Sequence, residues 1–205
     1  MIVKVCGITS REDALDAIAA GANALGFNFW PSSPRYISAD RAAEFVPALP
    51  AGLLRVGVFV NATAAEIAEA AQRAALDIVQ LHGASEAPAG LRRWRAAAVK
   101  PGFDPAIALS DTGAEAFLLD APSGDRHGGT GQTYDWNLIR GLRQRIVLAG
   151  GLDGANVARA IETAQPWGVD ACSRLEAAPG RKDPARVAAF VQAALDAAAI
   201  AHSSS

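Results

Sequence analysis

The chain has 205 residues, of which 51% are hydrophobic, and its formal net charge is −2. This length is typical of one domain, and lysine and arginine form no long runs, so we expect neither nucleic acid nor an anionic membrane as a partner. The apolar runs are shorter than the roughly 18 residues of a spanning helix, and the N-terminus lacks a signal-peptide pattern. Two widely separated cysteines and three histidines predict reduced thiols, a cytoplasmic location and no metal site.

Short segments rich in β-branched residues alternate with alanine-rich helical segments along the chain. Strands are predicted over residues 2–6, 23–29, 54–60, 77–81, 96–100, 116–120, 145–149 and 168–172. Helices are predicted over residues 10–20, 39–48, 63–75, 85–95, 136–142, 153–163 and 183–199. Strands that alternate with helices favour a parallel sheet, because parallel neighbours need a crossover connection.

Eight strands of this kind predict an α/β fold, a single-domain (β/α)8 barrel, rather than an open doubly wound sheet. We assign the barrel to residues 1–200 and expect a disordered tail over residues 201–205. The fifth helix should be short or absent, because residues 104–113 include Pro105 and Gly113 and make a poor helix.

In such barrels the functional groups lie at the carboxyl ends of the strands and in the loops that follow. Cys6 ends the first predicted strand, and Asp120 ends the sixth, directly after an apolar run. A cysteine there can be an inert buried residue or a reactive thiol, and a carboxylate there is either paired or functional. Arg35, Gln80 and His82 lie near other strand ends, and each suits either a ligand contact or a structural role.

Glycine-rich loops at the later strand ends suggest an anion site. The sixth strand is followed by Gly128, Gly129, Thr130 and Gly131, and the seventh by Gly150 and Gly151. Glycines let backbone N–H groups approach an oxyanion closely, and the loops after strands seven and eight are the usual phosphate site of this barrel. Because Ser173 also follows the eighth strand, we favour a phosphate site over simple turns.

Several short motifs, ordered along residues 3–191, resemble those of the phosphoribosylanthranilate isomerase family. They are Lys4–Thr9, Gly26–Phe27, Ser33–Tyr36, Gly57–Asn61, Gln80–Gly83, Gly128–Gly131, Asp135–Trp136, Leu148–Leu152, Val169–Asp170, Glu176, Pro179–Gly180 and Lys182–Asp183. The resemblance implies an Amadori rearrangement in tryptophan biosynthesis, in which N-(5-phosphoribosyl)anthranilate becomes 1-(2-carboxyphenylamino)-1-deoxyribulose 5-phosphate. It also implies that no metal or organic cofactor takes part, and that the protein is a monomer or a homodimer.

The resemblance assigns the general base to Cys6 and the general acid to Asp120. The acid protonates the ring oxygen of the aminofuranose, and the base removes the C2 proton of the resulting iminium, so each group must hold the right charge near neutral pH. We therefore predict a raised pKa for Asp120 and a lowered pKa for Cys6. A cationic intermediate in a dry pocket, or an N–H group of the Gly7 turn, are the expected causes of the lowered pKa.

Four further side chains are implied as substrate contacts by the same resemblance, namely Arg35, Gln80, His82 and Asp170. Arg35 would face the anthranilate carboxylate or its ring, since a guanidinium can clamp the first and stack on the second. Asp170 belongs to the final motif, which would place it near the substrate amine.

The loop after the eighth strand departs from the family pattern. The family has Ser-Ser-Gly-Val-Glu, whereas this chain has Cys172-Ser173-Arg174-Leu175-Glu176. Arg174 therefore replaces a glycine next to the expected phosphate. Either its backbone takes a strained positive φ and the guanidinium contacts the phosphate, or the side chain points to solvent. Cys172 replaces a serine, and we expect it to be a small core-facing residue.

Other phosphosugar barrels are the main alternative to this family. The aminoaldose isomerase of histidine biosynthesis uses two aspartates on a two-fold repeat, which is not visible here. Indole-glycerol-phosphate synthase needs a catalytic lysine and glutamate, and Lys100 has no matching glutamate at a strand end. A non-catalytic protein that binds phosphoribosyl ligands is a third possibility, which the intact pair of Cys6 and Asp120 disfavours.

Overall fold

Eight parallel strands close into one barrel in the computed structural model, which describes residues 1–122 and 133–203. Each strand pairs with the next, and the first and last strands close the barrel in the register Lys4 to Asp170. The strands are β1 (Ile2–Cys6), β2 (Ala24–Asn28), β3 (Leu54–Val60), β4 (Ile78–His82), β5 (Arg93–Ala98), β6 (Ala116–Asp120), β7 (Ile146–Leu148) and β8 (Gly168–Ala171). The (β/α)8 barrel predicted from the sequence is confirmed. A small antiparallel hairpin follows, formed by β9 (Glu176–Ala178) and β10 (Arg181–Lys182).

Helices surround the barrel, and side-chain caps fix where several of them begin. They are α1 (Arg11–Ala19), α2 (Ala39–Ala43), α3 (Ala64–Arg73), α4 (Pro105–Ala108), α5 (Val157–Ala164) and α6 (Pro184–Ser203). Short 3₁₀ turns cover Val46–Ala48, Trp136–Ile139 and Ser173–Leu175. Ser10 accepts a backbone hydrogen bond at the start of α1, and Thr63 forms a capping box with Glu66 at α3. Each cap satisfies N–H groups that the first turn leaves unpaired.

The helix predicted over residues 85–95 is wrong. Residues 83–92 connect β4 to β5 without a helix, and β5 begins at Arg93 rather than at residue 96. Pro88 and Gly90, which has a φ of +84°, interrupt any helix in this segment. Trp94 is fully buried and joins the barrel interior, so packing rather than local helix propensity determines the structure here.

Two other helical segments are each reduced to a single turn. The fifth helix, predicted to be short or absent, is the single turn α4, which begins at Pro105. The helix predicted over residues 136–142 is only the 3₁₀ turn Trp136–Ile139, capped by Asp135. Proline at the first helical position is tolerated because its missing N–H would be unpaired there in any case.

The barrel interior combines an apolar cluster with polar groups nearer the carboxyl ends of the strands. The cluster consists of Val56, Ile78, Trp94, Ala116, Leu118, Val147 and Ala149, with Ile2 and Trp167 packed against it. Lys4 and Cys6 follow Ile2 on the same face of β1, because side chains two residues apart in a strand share a face. The strand ends therefore deliver polar groups to the mouth of the barrel, where functional sites of this fold lie.

The last helix, α6, is long and apolar enough over Pro184–Ala201 to cross a membrane by length and composition alone, which is weak evidence. Val187 and Phe190 on its inner face are buried, and the helix packs on α1, α5 and β1. Its alanine content and this packing explain the hydropathy. The helix continues to Ser203, three residues into the segment predicted as a tail, and residues 204–205 lie outside the described part of the chain.

Candidate active site

Two thiols and an arginine converge at the mouth of the barrel, where the strands on both sides of β1 leave room for them. Cys6 ends β1 and is buried, and a Cβ atom on the facing Gly26 of β2 would lie only 2.6 Å from its sulfur. Gly7 has a φ of +75°, and a Cβ atom there would lie 2.8 Å from Cδ of Arg35 and 2.9 Å from the sulfur of Cys172. Glycine is required at both positions, because any side chain would displace these groups.

The charge on the Cys6 sulfur is set by three neighbours. A hydrogen bond from the Cys172 thiol, together with the charges of Lys4 and Lys182, holds the pKa of Cys6 well below that of an ordinary thiol, against the effect of burial. The lowered pKa has the predicted direction, but its sources differ from the Gly7 turn and the cationic intermediate that the sequence suggested. Cys172 lines the mouth of the barrel, so the expectation of a core-facing residue is wrong.

Lys4 and Asp170 form an ion pair inside the barrel. The Lys4 Nζ lies 2.9 Å from Oδ1 of Asp170, and the two side chains are 0% and 9% exposed. Burial lowers the pKa of Lys4, but the charges of Asp170 and Cys6 outweigh it and raise that pKa overall. Burial also raises the pKa of Asp170 to about 7, in spite of the lysine. Sequence reasoning gave Lys4 no role, although its position two residues before Cys6 places both on one face.

Arg35 binds a carboxylate of the protein itself. Its Nε and Nη2 donate to the two carboxylate oxygens of Glu176, both at 2.8 Å. Lys182, which is buried, lies 3.0 Å from Oε1 of Glu176 and 3.8 Å from the sulfur of Cys172. Although burial acts to raise it, the hydrogen bond from Arg35 and the charge of Lys182 leave the pKa of Glu176 below its usual value. Sequence reasoning placed Glu176 and Lys182 in family motifs without giving either a role.

Asp120 lies at the end of β6, in quite different surroundings. Burial raises the pKa of its carboxyl to about 6, although the Ala121 N–H donates to Oδ1 at 2.7 Å and opposes the shift. Gly150 has a φ of +95°, and a Cβ atom there would lie 2.6 Å from the Ala121 nitrogen and 3.0 Å from Oδ1 of Asp120. The loop after β7 therefore covers the carboxyl closely, and only glycine permits this approach.

A small pocket at the same end of the barrel is lined by four of the eight predicted phosphate residues. Its lining includes Gly150, Gly151, Ser173 and Arg174, with Asp120 beside them. The other predicted phosphate residues, namely Gly128, Gly129, Thr130 and Gly131, lie outside the described part of the chain.

Arg174 belongs to the 3₁₀ turn after β8, and its φ is not positive, so the strained backbone that one of the two expectations required is absent at this residue. Its Nη1 lies 2.7 Å from Oδ2 of Asp153, and its side chain is 41% exposed. The guanidinium is thus paired with Asp153 while it remains partly exposed, and Arg174 is among the residues that line the pocket. This position keeps its charge close to the glycine loop that follows β7.

Gln80 and His82 lie two residues apart on β4 and face each other. Nε2 of Gln80 lies 2.9 Å from Nε2 of His82, so one ring tautomer accepts this hydrogen bond. Gln80 is buried, and its Oε1 has no hydrogen-bond partner within residues 1–122 and 133–203. A buried carbonyl oxygen of this kind favours a polar ligand atom, because leaving it unpaired costs about 1–3 kcal/mol.

The arrangement can transfer protons without a metal. A thiol with a lowered pKa and a carboxyl with a raised pKa end two strands of one barrel, and the charge of the thiolate adds to the raised pKa of the carboxyl. No group of three or more histidine, cysteine, aspartate or glutamate side chains suited to a metal occurs among the residues that the structure describes. The fold and these strand-end groups define a (β/α)8-barrel enzyme of the acid–base type.

Comparison with known proteins identifies the family. A family model described as N-(5'-phosphoribosyl)anthranilate (PRA) isomerase matches residues 3–193. The isomerase of Solibacter usitatus is 51% identical over 197 residues, which cover 95% of this chain and 97% of that protein. The chain belongs to the N-(5'-phosphoribosyl)anthranilate isomerase family and is an isomerase of tryptophan biosynthesis, as the sequence predicted.

Solved structures agree with this assignment. The phosphoribosyl anthranilate isomerase of Thermotoga maritima is 38% identical, with a TM-score of 0.87 over 96% of this chain and 100% of that one. Another structure of this enzyme type, at 36% identity and a TM-score of 0.82, covers 96% of this chain and 100% of that chain. That protein was solved in complex with reduced 1-(o-carboxyphenylamino)-1-deoxyribulose 5-phosphate.

Proposed function

We propose that this chain converts N-(5-phosphoribosyl)anthranilate to 1-(2-carboxyphenylamino)-1-deoxyribulose 5-phosphate, with Cys6 as the general base and Asp120 as the general acid. The observation that carries these roles is the position of the two side chains at the ends of β1 and β6, where their surroundings shift their pKa values in opposite directions. A base is useful when it is ionised, and an acid is useful when it holds its proton. Each shift moves its group towards the form that the reaction needs.

The two groups act in sequence. Asp120 protonates the ring oxygen of the aminofuranose, and the ring opens to an iminium whose C2 proton is acidic. The Cys6 thiolate then removes that proton, which leaves an enolamine that tautomerises to the ketone. Acid–base catalysis of this kind contributes roughly 10²–10⁴-fold per group.

The substrate phosphate would occupy the pocket lined by Gly150, Gly151, Ser173 and Arg174, together with the predicted loop of residues 128–131. Two supports are the positive φ of both glycines and the charge of the arginine at the rim. A phosphate here would lie beside Asp120, and its negative charge would keep the carboxyl protonated during the reaction.

The anthranilate end would contact the other predicted residues. Glu176 uses two of the five N–H donors of Arg35, so the outer edge of the guanidinium can still meet a carboxylate. The buried Oε1 of Gln80 suits a substrate N–H or hydroxyl, with His82 holding the amide in place. Asp170 would act mainly through its ion pair with Lys4, close to the reacting carbon.

Loss of substrate fluorescence on addition of the enzyme tests the activity, since the product does not share this fluorescence. We expect turnover by the wild-type chain without added metal, and a bell-shaped plot of kcat/KM against pH. Activity should fall as the pH drops and protonates Cys6, and fall as the pH rises through about 6 and ionises Asp120. Turnover that survives the combined substitutions Cys6→Ala and Asp120→Ala would refute the mechanism.

Two properties complete the proposal. The cytoplasm is the proposed location, since tryptophan biosynthesis consumes soluble phosphorylated intermediates and the two cysteines are unpaired. A monomer or a homodimer is the proposed assembly, without a cofactor. Light scattering of the purified chain measures its assembly. An activity assay with and without a chelator measures whether a metal is required.

A further inference from the structure

We propose that Cys172 is a positioning residue for the base: its thiol donates a hydrogen bond to the Cys6 thiolate, and Lys182 holds the Cys172 side chain in place for this purpose. The inference rests on the proposed function, because it takes Cys6 to be the general base. It adds a second thiol to the machinery, one that touches the base rather than the substrate.

The fold brings the two thiols together from neighbouring strands. Val5 pairs with Ala171 in the register of β1 and β8. Cys6, the last residue of β1, and Cys172, which directly follows β8, therefore lie at two adjacent strand ends. The interaction between the two side chains is also the first cause of the lowered pKa of Cys6 and of the raised pKa of Cys172. Space for this contact depends on Gly7, where a Cβ atom would lie 2.9 Å from the sulfur of Cys172.

Lys182 fixes the second thiol from the opposite side. Its Nζ lies 3.3 Å from the carbonyl oxygen of Cys172 and 3.8 Å from its sulfur, and it is paired with Glu176 at 3.0 Å. Because Lys182 and Glu176 are both buried, this contact is not a mobile surface pair. The lysine therefore anchors both the backbone and the side chain of the donor.

The local charge balance explains why one proton stays between the two sulfurs. Five charged side chains surround them, namely Lys4, Arg35, Asp170, Glu176 and Lys182. The three cations outnumber the two carboxylates, and Asp170 is only partly ionised near neutral pH, so the positive excess stabilises a thiolate. A second thiolate in the same buried space would be repelled by the first, so the pair loses its protons in two separate steps. The proton that remains serves as the hydrogen bond from Cys172 to Cys6.

Alkylation of Cys6 by iodoacetamide tests the proposal, with Cys172→Ala and Cys172→Ser as the matched variants. Both substitutions leave Cys6 as the only cysteine of the chain, which has two. Serine keeps a hydroxyl donor, whereas alanine removes it. We expect the midpoint of the alkylation rate against pH to lie about one pH unit higher in the alanine variant, which is a roughly tenfold loss of thiolate below that midpoint. The acid limb of kcat/KM should move by the same amount, while KM stays the same.

Equal midpoints in the alanine and serine variants would overturn the proposal, even if the alanine variant lost activity at every pH, because such a loss is what a structural role predicts. If Cys172→Ala does not fold, Cys172→Val and Cys172→Thr give the same contrast between an apolar group and a hydroxyl donor. Failure of the proposed function looks different, since turnover would be absent or would survive Cys6→Ala. The alkylation midpoint needs no turnover, so the two failures are distinguishable.

Discussion

The two sides of the barrel mouth bury their key groups to a similar extent and yet shift their pKa values in opposite directions. On the side of β8, β1 and β2, a hydrogen bond and two lysines outweigh the effect of burial and lower the pKa of Cys6. On the side of β6 and β7, burial outweighs one backbone N–H and raises the pKa of Asp120 to about 6. The neighbours of each buried group, rather than its depth, therefore decide the direction of its pKa shift.

The largest effect we expect is the loss of activity when either Cys6 or Asp120 is replaced. Cys6→Ala removes the thiolate, and Asp120→Asn removes the transferable proton while its amide oxygen can still accept from Ala121. Each should lower kcat roughly 10²–10⁴-fold, with a smaller change in KM, because proton transfer occurs only in the transition state. Steady-state kinetics with the fluorescent substrate measures the two constants.

Asp135→Asn is the control for the acid side. Asp135 lies after the same strand but is exposed, and it caps a 3₁₀ turn, a role that asparagine can also fill. Its kcat should stay within about twofold of the wild type. A comparable loss in Asp135→Asn and Asp120→Asn would mean that this loop, rather than one carboxyl, carries the effect.

The next largest effect we expect is a loss of stability when the buried ion pairs of Glu176 with Arg35 and Lys182 are broken. This loss should exceed that from an ordinary surface ion pair. Glu176→Gln leaves Arg35 and Lys182 without their common partner, and the lysine side chain is 1% exposed. Removal of one member of a buried pair costs about 3–5 kcal/mol of the free energy of unfolding. Urea denaturation of the wild type and the variant at neutral pH measures this difference.

Glu115→Gln provides the matched comparison. Glu115 accepts two hydrogen bonds from Arg92, both at 2.7 Å, so its geometry copies that of Glu176 and Arg35. The Arg92 side chain is 53% exposed, however, and a surface pair contributes only about 0–1 kcal/mol. Equal losses in the two variants would show that burial does not strengthen the network on the base side.

A third effect concerns the acid side and depends on pH. The Asp120 pKa is about 6 in the folded chain and about 3.9 when unfolded, so the folded state binds more protons between these values. The contribution of Asp120 to stability must therefore fall as the pH rises from about 4 to about 6, by about 3 kcal/mol in all. Asp120→Asn should remove this loss, and the variant should exceed the wild type in stability at about pH 8 but not at about pH 4. If the variant and the wild type differed in stability by the same amount at both pH values, the raised pKa of Asp120 would be contradicted.

The residues at the strand ends could be predicted from the sequence, whereas most of the contacts around Cys6 could not. Cys6 and Asp120 were predictable, because each ends an apolar strand and the fold places strand ends at the site. The partners of Cys6 were not, since the Lys4–Asp170 and Arg35–Glu176 contacts join residues 166 and 141 positions apart. Such contacts depend on how the barrel closes and on strand register, which local patterns do not encode. Two-residue alternation in β1 did indicate that Lys4 shares the face of Cys6.

The segment between β4 and β5 also shows that local sequence patterns do not encode long-range packing. Residues 85–95 contain alanines and arginines that favour a helix, so local propensity predicted one there. The structure instead buries Trp94 in the barrel, in edge-to-face contact with Trp167 at a centroid distance of 5.9 Å. Burial of an indole stabilises more than a few helix-forming residues do, and the strand therefore begins earlier than predicted.

The smallest effect should come from Arg174, at the rim of the acid side. Its ion pair with Asp153 is partly exposed, so Arg174→Met should change stability by no more than about 1 kcal/mol. If the guanidinium contacts the substrate phosphate, KM should rise severalfold while kcat stays the same, because the contact is made equally in the bound substrate and in the transition state. The basic limb of the pH profile should not move, since the groups that set the Asp120 pKa are its burial, Ala121, Cys6 and Lys4.

Arg181→Met is the control for this last experiment, because Arg181 is an exposed arginine on β10, outside the lining of the pocket. An unchanged KM in Arg174→Met would rule out the phosphate contact, and the arginine would then serve only its pair with Asp153. A basic limb that shifts upward would instead show that Arg174 helps to ionise Asp120. A cation would then lower the pKa of Asp120, as Lys4 and Lys182 lower the pKa of Cys6. The surroundings of the two groups would then differ only in how strongly cations act on them.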